Sequence, residues 1–211
     1  MDRTVKNAYS GAMARPRAFD ETQVLNAVRD QFWTAGYAAT SLEDLMRVSR
    51  LGKGSLYAAF GDKRALFLRA LRGYTELTQE HLRRALTEAP RAIDALGMLL
   101  EAPVDDGIEA DARRGCLLAN STCELGNADP EVLAHARETY EASTMLIAEC
   151  VSRAQDEGDL PADSDAVALA RALLAAQQGI VFMSRTGMDA DTLTATARSL
   201  ADRLVPRSSA P

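Results

Sequence analysis

Apolar residues recur along this chain at intervals of three and four, the spacing that lines one face of a helix, and no stretch alternates as a half-buried strand does. Val24, Val28 and Phe32 form such a stripe beside Leu25 and Trp33, predicting a helix that begins after Asp20 and stops at Gly36. Ser41, three residues before Asp44, stands where an N-cap belongs, and Leu42, Leu45, Met46 and Val48 give a short second helix. A third opens at Gly52 or Lys53 and reaches Phe60. Asp62 caps a much longer fourth, in which Leu66, Phe67, Ala70, Leu71, Tyr74 and Leu77 recur at helical spacing. Beyond Pro90 the pattern predicts helices over about residues 91–101 and 115–125, with an acidic, glycine-containing loop at 103–111 between them. Asn127-Ala128-Asp129-Pro130 opens a long helix carrying Leu133, Ala136, Tyr140, Ile147 and Val151 and ending near Gly158. Two last helices follow, at 163–185 and 189–204, parted by Thr186-Gly187. Residues 1–14 read as a flexible leader and 206–211 as a tail, so the fold class is all-α.

Charge divides the chain. A formal net charge of −6 over 211 residues argues against nucleic acid as a partner if it is spread evenly, but it is not. Residues 1–74 carry 12 Lys+Arg against 7 Asp+Glu, a net of +5, and residues 75–211 carry 12 against 23, a net of −11. A basic head that can meet phosphates is thus joined to an acidic body that cannot. Arg3 and Lys6 have no apolar run behind them, unlike a secretory signal, so a cytoplasmic protein is expected. The oiliest segment, 172–183, falls short of the ~20 residues that span a bilayer and is broken by Gln177 and Gln178, which points away from a membrane. Cys116, Cys123 and Cys150 cannot all pair, and are expected as thiols.

Two short helices joined by a tight turn and flanked by longer ones form a unit that can place the second short helix in the ~12 Å major groove of DNA. Lys53, Gly54, Ser55, Tyr57 and Ala58 are small or polar enough to face the bases, while Leu56 and Phe60, four apart, anchor the helix inward. The residues Gly36-Tyr37, Thr40-Ser41-Leu42, Lys53-Gly54-Ser55-Leu56-Tyr57, Phe60-Gly61-Asp62-Lys63 and Ala65-Leu66 resemble the DNA-binding head of the tetracycline-repressor (TetR) family over residues 20–74. The resemblance implies a homodimer whose helix-turn-helix head, residues 15–74, binds a palindromic double-stranded DNA operator. It also implies a body, residues 75–205, that takes a small-molecule effector changing the spacing of the two heads. By matching position it implies DNA contacts from Ser41, Lys53, Gly54, Ser55 and Tyr57, phosphate contacts from Thr40 and Lys63, and an arm on the backbone from Arg15 or Arg17. At the turn where the family carries Ala-Gly, this chain has Ser49-Arg50; a positive φ there would strain the arginine.

In the body, residues 166–183 are apolar nearly all round, with Leu169, Leu173, Leu174, Ile180, Val181 and Phe182 pointing in different directions. The last helix adds a seam of Leu193, Ala197, Leu200 and Leu204. Together they predict a four-helix interface between two chains through Leu169, Leu173, Ile180, Leu193, Leu200 and Leu204; one thick intramolecular core is the alternative. The effector pocket is expected between the fourth helix and the body, with Met98, Cys116, Asn120, Cys123, Tyr140, Met145 and Gln178 as candidate contacts. Arg113-Arg114-Gly115-Cys116 places a thiol at a predicted helix start beside two cations, which favours the thiolate. Some members of the resembled family sense electrophiles through a cysteine in this region; the plain alternative is a small buried hydrophobe.

Other chemistries find little support. Gly52-Lys53-Gly54-Ser55 lacks the upstream glycine of a phosphate-binding loop and the hydroxyl directly after its lysine. His81 and His135 stand apart, without the spacing of a triad or, with the cysteines, of a zinc site, so neither cofactor nor metal is expected. The rival from another class is an all-helical enzyme or small-molecule carrier with merely structural N-terminal helices. The basic head and the pattern over residues 53–63 count against it.

Overall fold

A computed structural model describes residues 19–105 and 114–205. Among them lie nine helices and no strand: α1 (Glu21–Ala35), α2 (Leu42–Ser49), α3 (Lys53–Phe60), α4 (Lys63–Glu88), α5 (Ala92–Asp105), α6 (Leu117–Leu125), α7 (Pro130–Asp156), α8 (Ala166–Arg185) and α9 (Ala190–Leu204). Carboxylates start most of them. Asp20, Asp62, Asp129, Asp165 and Asp189 each accept from first-turn N–H groups that have no partner within the helix. Ser41 and Asp44 cap α2 reciprocally, side chain to backbone in both directions. Gly36 and Gly61 close α1 and α3 at φ +84°, a region that suits glycine.

The observed ends fall within about three residues of the predicted ones except in α5. That helix continues through Pro103 to Asp105, where a loop was expected. A proline deletes one N–H bond, which does not end a helix whose neighbouring bonds hold. The rest of the expected loop, residues 106–111, lies outside the described residues, as do the predicted leader and tail.

Two apolar cores result. The lower one gathers Val28, Phe32, Leu45, Leu56, Leu66, Phe67 and Leu71 of α1–α4 with Leu117 and Leu118 of α6 and Val132 and Ala136 of α7. The upper one joins the end of α4 to α5, α8, α9 and the later part of α7 through Leu96, Leu100, Ile147, Val151, Leu173 and Ile180. α4, 26 residues and so about 39 Å long, enters both. α8 has 20 residues, and an 18-residue stretch of it reaches a mean hydropathy of 1.5, long and apolar enough to cross a membrane by length and composition, a point the shorter 172–183 segment concealed. It packs on α5, α7 and α9 through one side only, with Ala170, Leu173, Ile180 and Ser184 buried.

Candidate nucleic-acid interface

Leu56 and Phe60 sit in the lower core and hold α3 so that Lys53, Gly54, Ser55 and Ala58 are exposed and Tyr57 is half-buried. The Lys53 ammonium lies 5.9 Å from the centre of the Tyr57 ring, so both belong to the same outward side. A Cβ on Gly54 would meet nothing within 4 Å, so packing does not require a glycine there. The turn before α3 settles the departure from the family pattern. Arg50 takes φ 57° and ψ 24° as the C-cap of α2, the sole non-glycine with positive φ among the described residues. The buried Ser49 hydroxyl braces it, donating to the Met46 carbonyl at 3.4 Å and accepting from the Leu51 N–H at 3.3 Å.

Thr40 is a correction. It is 1% exposed, and its hydroxyl donates to the Gly36 carbonyl at 2.7 Å, so its side chain ties the α1–α2 loop together and does not reach the surface where a phosphate would lie. Ser41 is exposed but engaged with Asp44. Arg47 and Ser41 together hold the Asp44 carboxyl down at about 2. Lys63 is half-buried with its ammonium 4.5 Å from the centre of the Tyr37 ring. Arg15 and Arg17 lie outside the described residues.

Head and body meet in a polar joint that the sequence did not announce. Arg64 at the start of α4 donates from two nitrogens to Asp129, at 2.7 and 2.9 Å, and reaches Glu131 at 2.8 Å. Arg72 reaches the other Glu131 oxygen at 2.7 Å. The Arg64 guanidinium keeps the Asp129 carboxyl below the usual range. At one end of α6, the Trp33 indole N–H donates to the Gly115 carbonyl at 3.0 Å, with the Arg114 guanidinium 4.5 Å over its ring. At the other end, Glu124 accepts the N–H groups of Tyr37 and Ala38. These partners are 59 to 87 positions apart in the chain, so local spacing carries no signal for them.

The expected effector residues lie at several places in the body. Cys116, Cys123 and Tyr140 do cluster: the Tyr74 hydroxyl donates to the Cys116 sulfur at 3.8 Å, and burial, with both thiols near, pushes the Tyr140 phenol up. The Arg114 guanidinium stacks on Trp33 and pairs with Asp30; Arg113 lies outside the described residues. Asn120 links α6 to α8, accepting from Arg185 and donating to the Arg114 carbonyl. Met98 and Met145 are 50% and 52% exposed and belong to neither core, and Gln178 is half-buried with its amide on Gln177. A cleft of about 200 Å³ opens instead between α4 and α7, lined by Arg83, Leu86, Leu146, Cys150 and Arg153 among others. Its floor thiol, Cys150, donates to the Leu86 and Ala92 carbonyls, and burial pushes its pKa up.

The expected interface residues also divide. Leu173, Ile180 and Leu193 are buried within the single chain, 0%, 1% and 4% exposed, so they serve its own core; this corrects their assignment to a partner surface. Leu169, Leu200 and Leu204 are half-buried. What α8 turns outward is Ala168, Arg171, Ala175, Gly179, Phe182 and Arg185, with Phe182 69% exposed.

Residues 24–70 match the model described as "Bacterial regulatory proteins, tetR family", and residues 92–200 match "Tetracyclin repressor-like, C-terminal domain". The chain is 30% identical over 183 residues to the uncharacterized HTH-type transcriptional regulator YezE of Bacillus subtilis, covering 86% of this chain and 94% of that one. It is 26% identical to the HTH-type transcriptional repressor ComR of Escherichia coli, over 85% of this chain and 86% of that one. Among solved structures, a cysteine mutant of the TetR family regulator CifR complexed with a 26-bp double-strand operator DNA is 30% identical. It superposes with a TM-score of 0.78, over 89% of this chain and 98% of that one.

Proposed function

Since the chain belongs to the TetR family of bacterial regulatory proteins, and is therefore a DNA-binding transcription regulator rather than an enzyme or carrier, we propose that it is a homodimeric, cytoplasmic repressor released from a palindromic operator by a small-molecule signal. The observation that carries the reading is the α3 face: Lys53, Gly54 and Ser55 exposed and Tyr57 beside them, on a helix pinned by Leu56 and Phe60. Repression is supported by the relatives, ComR being named a repressor. The operator contacts we assign are Lys53, Ser55 and Tyr57 to base edges and Lys63 to phosphate, with Arg15 or Arg17 as an arm. Dimerisation through α8 is supported by its outward face, where small residues flank Arg171 and lead to the exposed Phe182.

The test is selection of duplexes from random DNA by the purified protein, followed by filter binding at low and high salt. A regulator enriches a palindrome and binds it with a steep salt dependence. Enrichment of nothing, or binding that ignores salt, overturns the reading.

An electrophile is the second signal we propose, because Cys116 is half-buried at the N-cap of α6 with a phenol O–H directed at its sulfur. Adding a group there enlarges a side chain in packed surroundings at the head-body joint. Operator affinity before and after N-alkylmaleimide, in the wild type and in Cys116→Ser, decides it. If both respond alike, another thiol carries the effect, the exposed Cys123 first among them; if neither responds, the signal is a non-covalent ligand.

A further inference from the structure

The head is joined to the body by the continuous helix α4, by an apolar core and by a few polar contacts. The hydrophobic force that closes the core is itself non-directional, so the polar contacts are what add direction to it. Directional contacts are what select one orientation. Glu124, in the last turn of α6, makes two of them with successive backbone groups of the head: Oε2 accepts the Tyr37 N–H at 2.9 Å and Oε1 the Ala38 N–H at 2.7 Å. Both are charge-assisted, and a carboxylate engaged through both oxygens resists rotation as well as displacement.

The head is shaped to receive it. Gly36 takes φ +84°, and a Cβ there would lie 3.1 Å from Glu124 Oε2, so the loop passes the carboxylate at a distance that suits a glycine. The opposite end of α6 is fastened by the Trp33 N–H on the Gly115 carbonyl, and its middle is tied to the end of α8 through Asn120 and Arg185. α6 is thus a strap anchored to the head at both ends and to the body between them.

We propose that Glu124 is a positioning residue that locks the head onto α6 and thereby sets how strictly the spacing of the two operator half-sites is read, an inference that rests on the regulator function proposed above. A dimer with rigid heads accepts one half-site separation, because one inserted base pair moves a half-site by about 3.4 Å along the axis and turns it about the duplex. Heads released at one anchor follow the displaced half-site.

The experiment uses the full chain as wild type, Glu124→Ala and the isosteric Glu124→Gln, whose amide accepts from one N–H and opposes the other. Each is titrated against the duplex selected by the wild type and against versions with one or two base pairs inserted or removed at its centre. Loss of the clamp is expected to weaken binding to the selected duplex by about ten-fold and to flatten the penalty for altered spacing to about two-fold. Equal weakening at every spacing, or no change, overturns the proposal, since a residue that only stabilised the head would act on all duplexes alike.

A second readout needs no DNA. The chain has a single tryptophan, Trp33, which lies in this joint, so acrylamide quenching of its fluorescence is expected to rise in both variants with helix content unchanged. Unchanged quenching overturns the clamp. If the wild type selects no duplex, the regulator reading fails, and the quenching result still decides whether Glu124 holds the head.

Discussion

Replacing Phe182 with glutamate separates the two roles of α8. The side chain is 69% exposed in the single chain, so it contributes little to the protomer's own core. An aromatic side chain presents about 200 Å², which leaves about 140 Å² uncovered here. At about 25 cal/mol per Å², complete burial against a partner would contribute about 3.5 kcal/mol per chain, or about 7 kcal/mol in a twofold dimer that counts it twice. Coverage at interfaces is partial; half that figure, about 3.5 kcal/mol, corresponds to a loss of a few hundred-fold in dimer affinity, before the cost of desolvating the new carboxylates. Sedimentation equilibrium at several concentrations should therefore show Phe182→Glu as a monomer where the wild type is a dimer, with operator binding lost alongside. Leu173→Glu, on the same helix but 0% exposed, should instead unfold the body, visible as lost helical circular dichroism. A Phe182→Glu protein that sediments as the wild-type dimer does, or a wild type that is monomeric at micromolar concentration, would refute the assignment.

Three other outcomes follow from the head. Lys63→Ala should weaken binding to every duplex alike and reduce the slope of log affinity against log salt by about one, whereas Lys53→Ala or Ser55→Ala should change which duplex is preferred; filter binding across salt concentrations and sequences distinguishes them. Arg50→Gly should raise the free energy of unfolding by about 0.5–1 kcal/mol in urea titrations, since relief of a left-handed arginine outweighs the extra freedom glycine gains when unfolded; a loss of stability would mean the arginine is not strained. Asp44 has its pKa held at about 2, below the ordinary 3.8, so it favours the folded head above pH 4 and this contribution is lost as pH falls towards 2. Asp44→Asn should abolish that part of the acid sensitivity, lowering the melting temperature at pH 6 more than at pH 2.5.

The helices and their caps were legible because their causes are local. An aspartate before an apolar stripe and a glycine after it act within four residues, and α1, α4 and α9 start where those signals fall. The left-handed turn at Arg50 was raised by the family resemblance alone, whose Ala-Gly stands where Ser49-Arg50 does here. Thr40 entered as a phosphate contact only through its matching position in the resembled family, which carries no information on its side-chain partner, while its own i−4 carbonyl, Gly36, takes the hydroxyl here. In α8 the periodicity failed for a different reason. A helix apolar on every side gives no sign of which side meets its own body, so Leu173 and Phe182 looked equivalent until the fold buried one and left the other 69% exposed.

The joint between head and body was the least legible feature, and the physics explains why it also bears on control. Its apolar part, Tyr74, Leu117, Leu118, Val132 and Ala136, uses residues that any helical core would contain, so composition does not mark it. Its directional part consists of a few polar pairs, Arg64 with Asp129 and Glu131, Arg72 with Glu131, Trp33 with Gly115 and Glu124 with Tyr37 and Ala38, whose members lie far apart in the chain. The core supplies adhesion over a range of angles, while the polar pairs select one angle within that range. A signal arriving in the body therefore need not pull the head away from it. Displacing α6, which carries Cys116 at one end and Glu124 at the other, would act on both parts at once, because its Leu117 and Leu118 lie in the shared core.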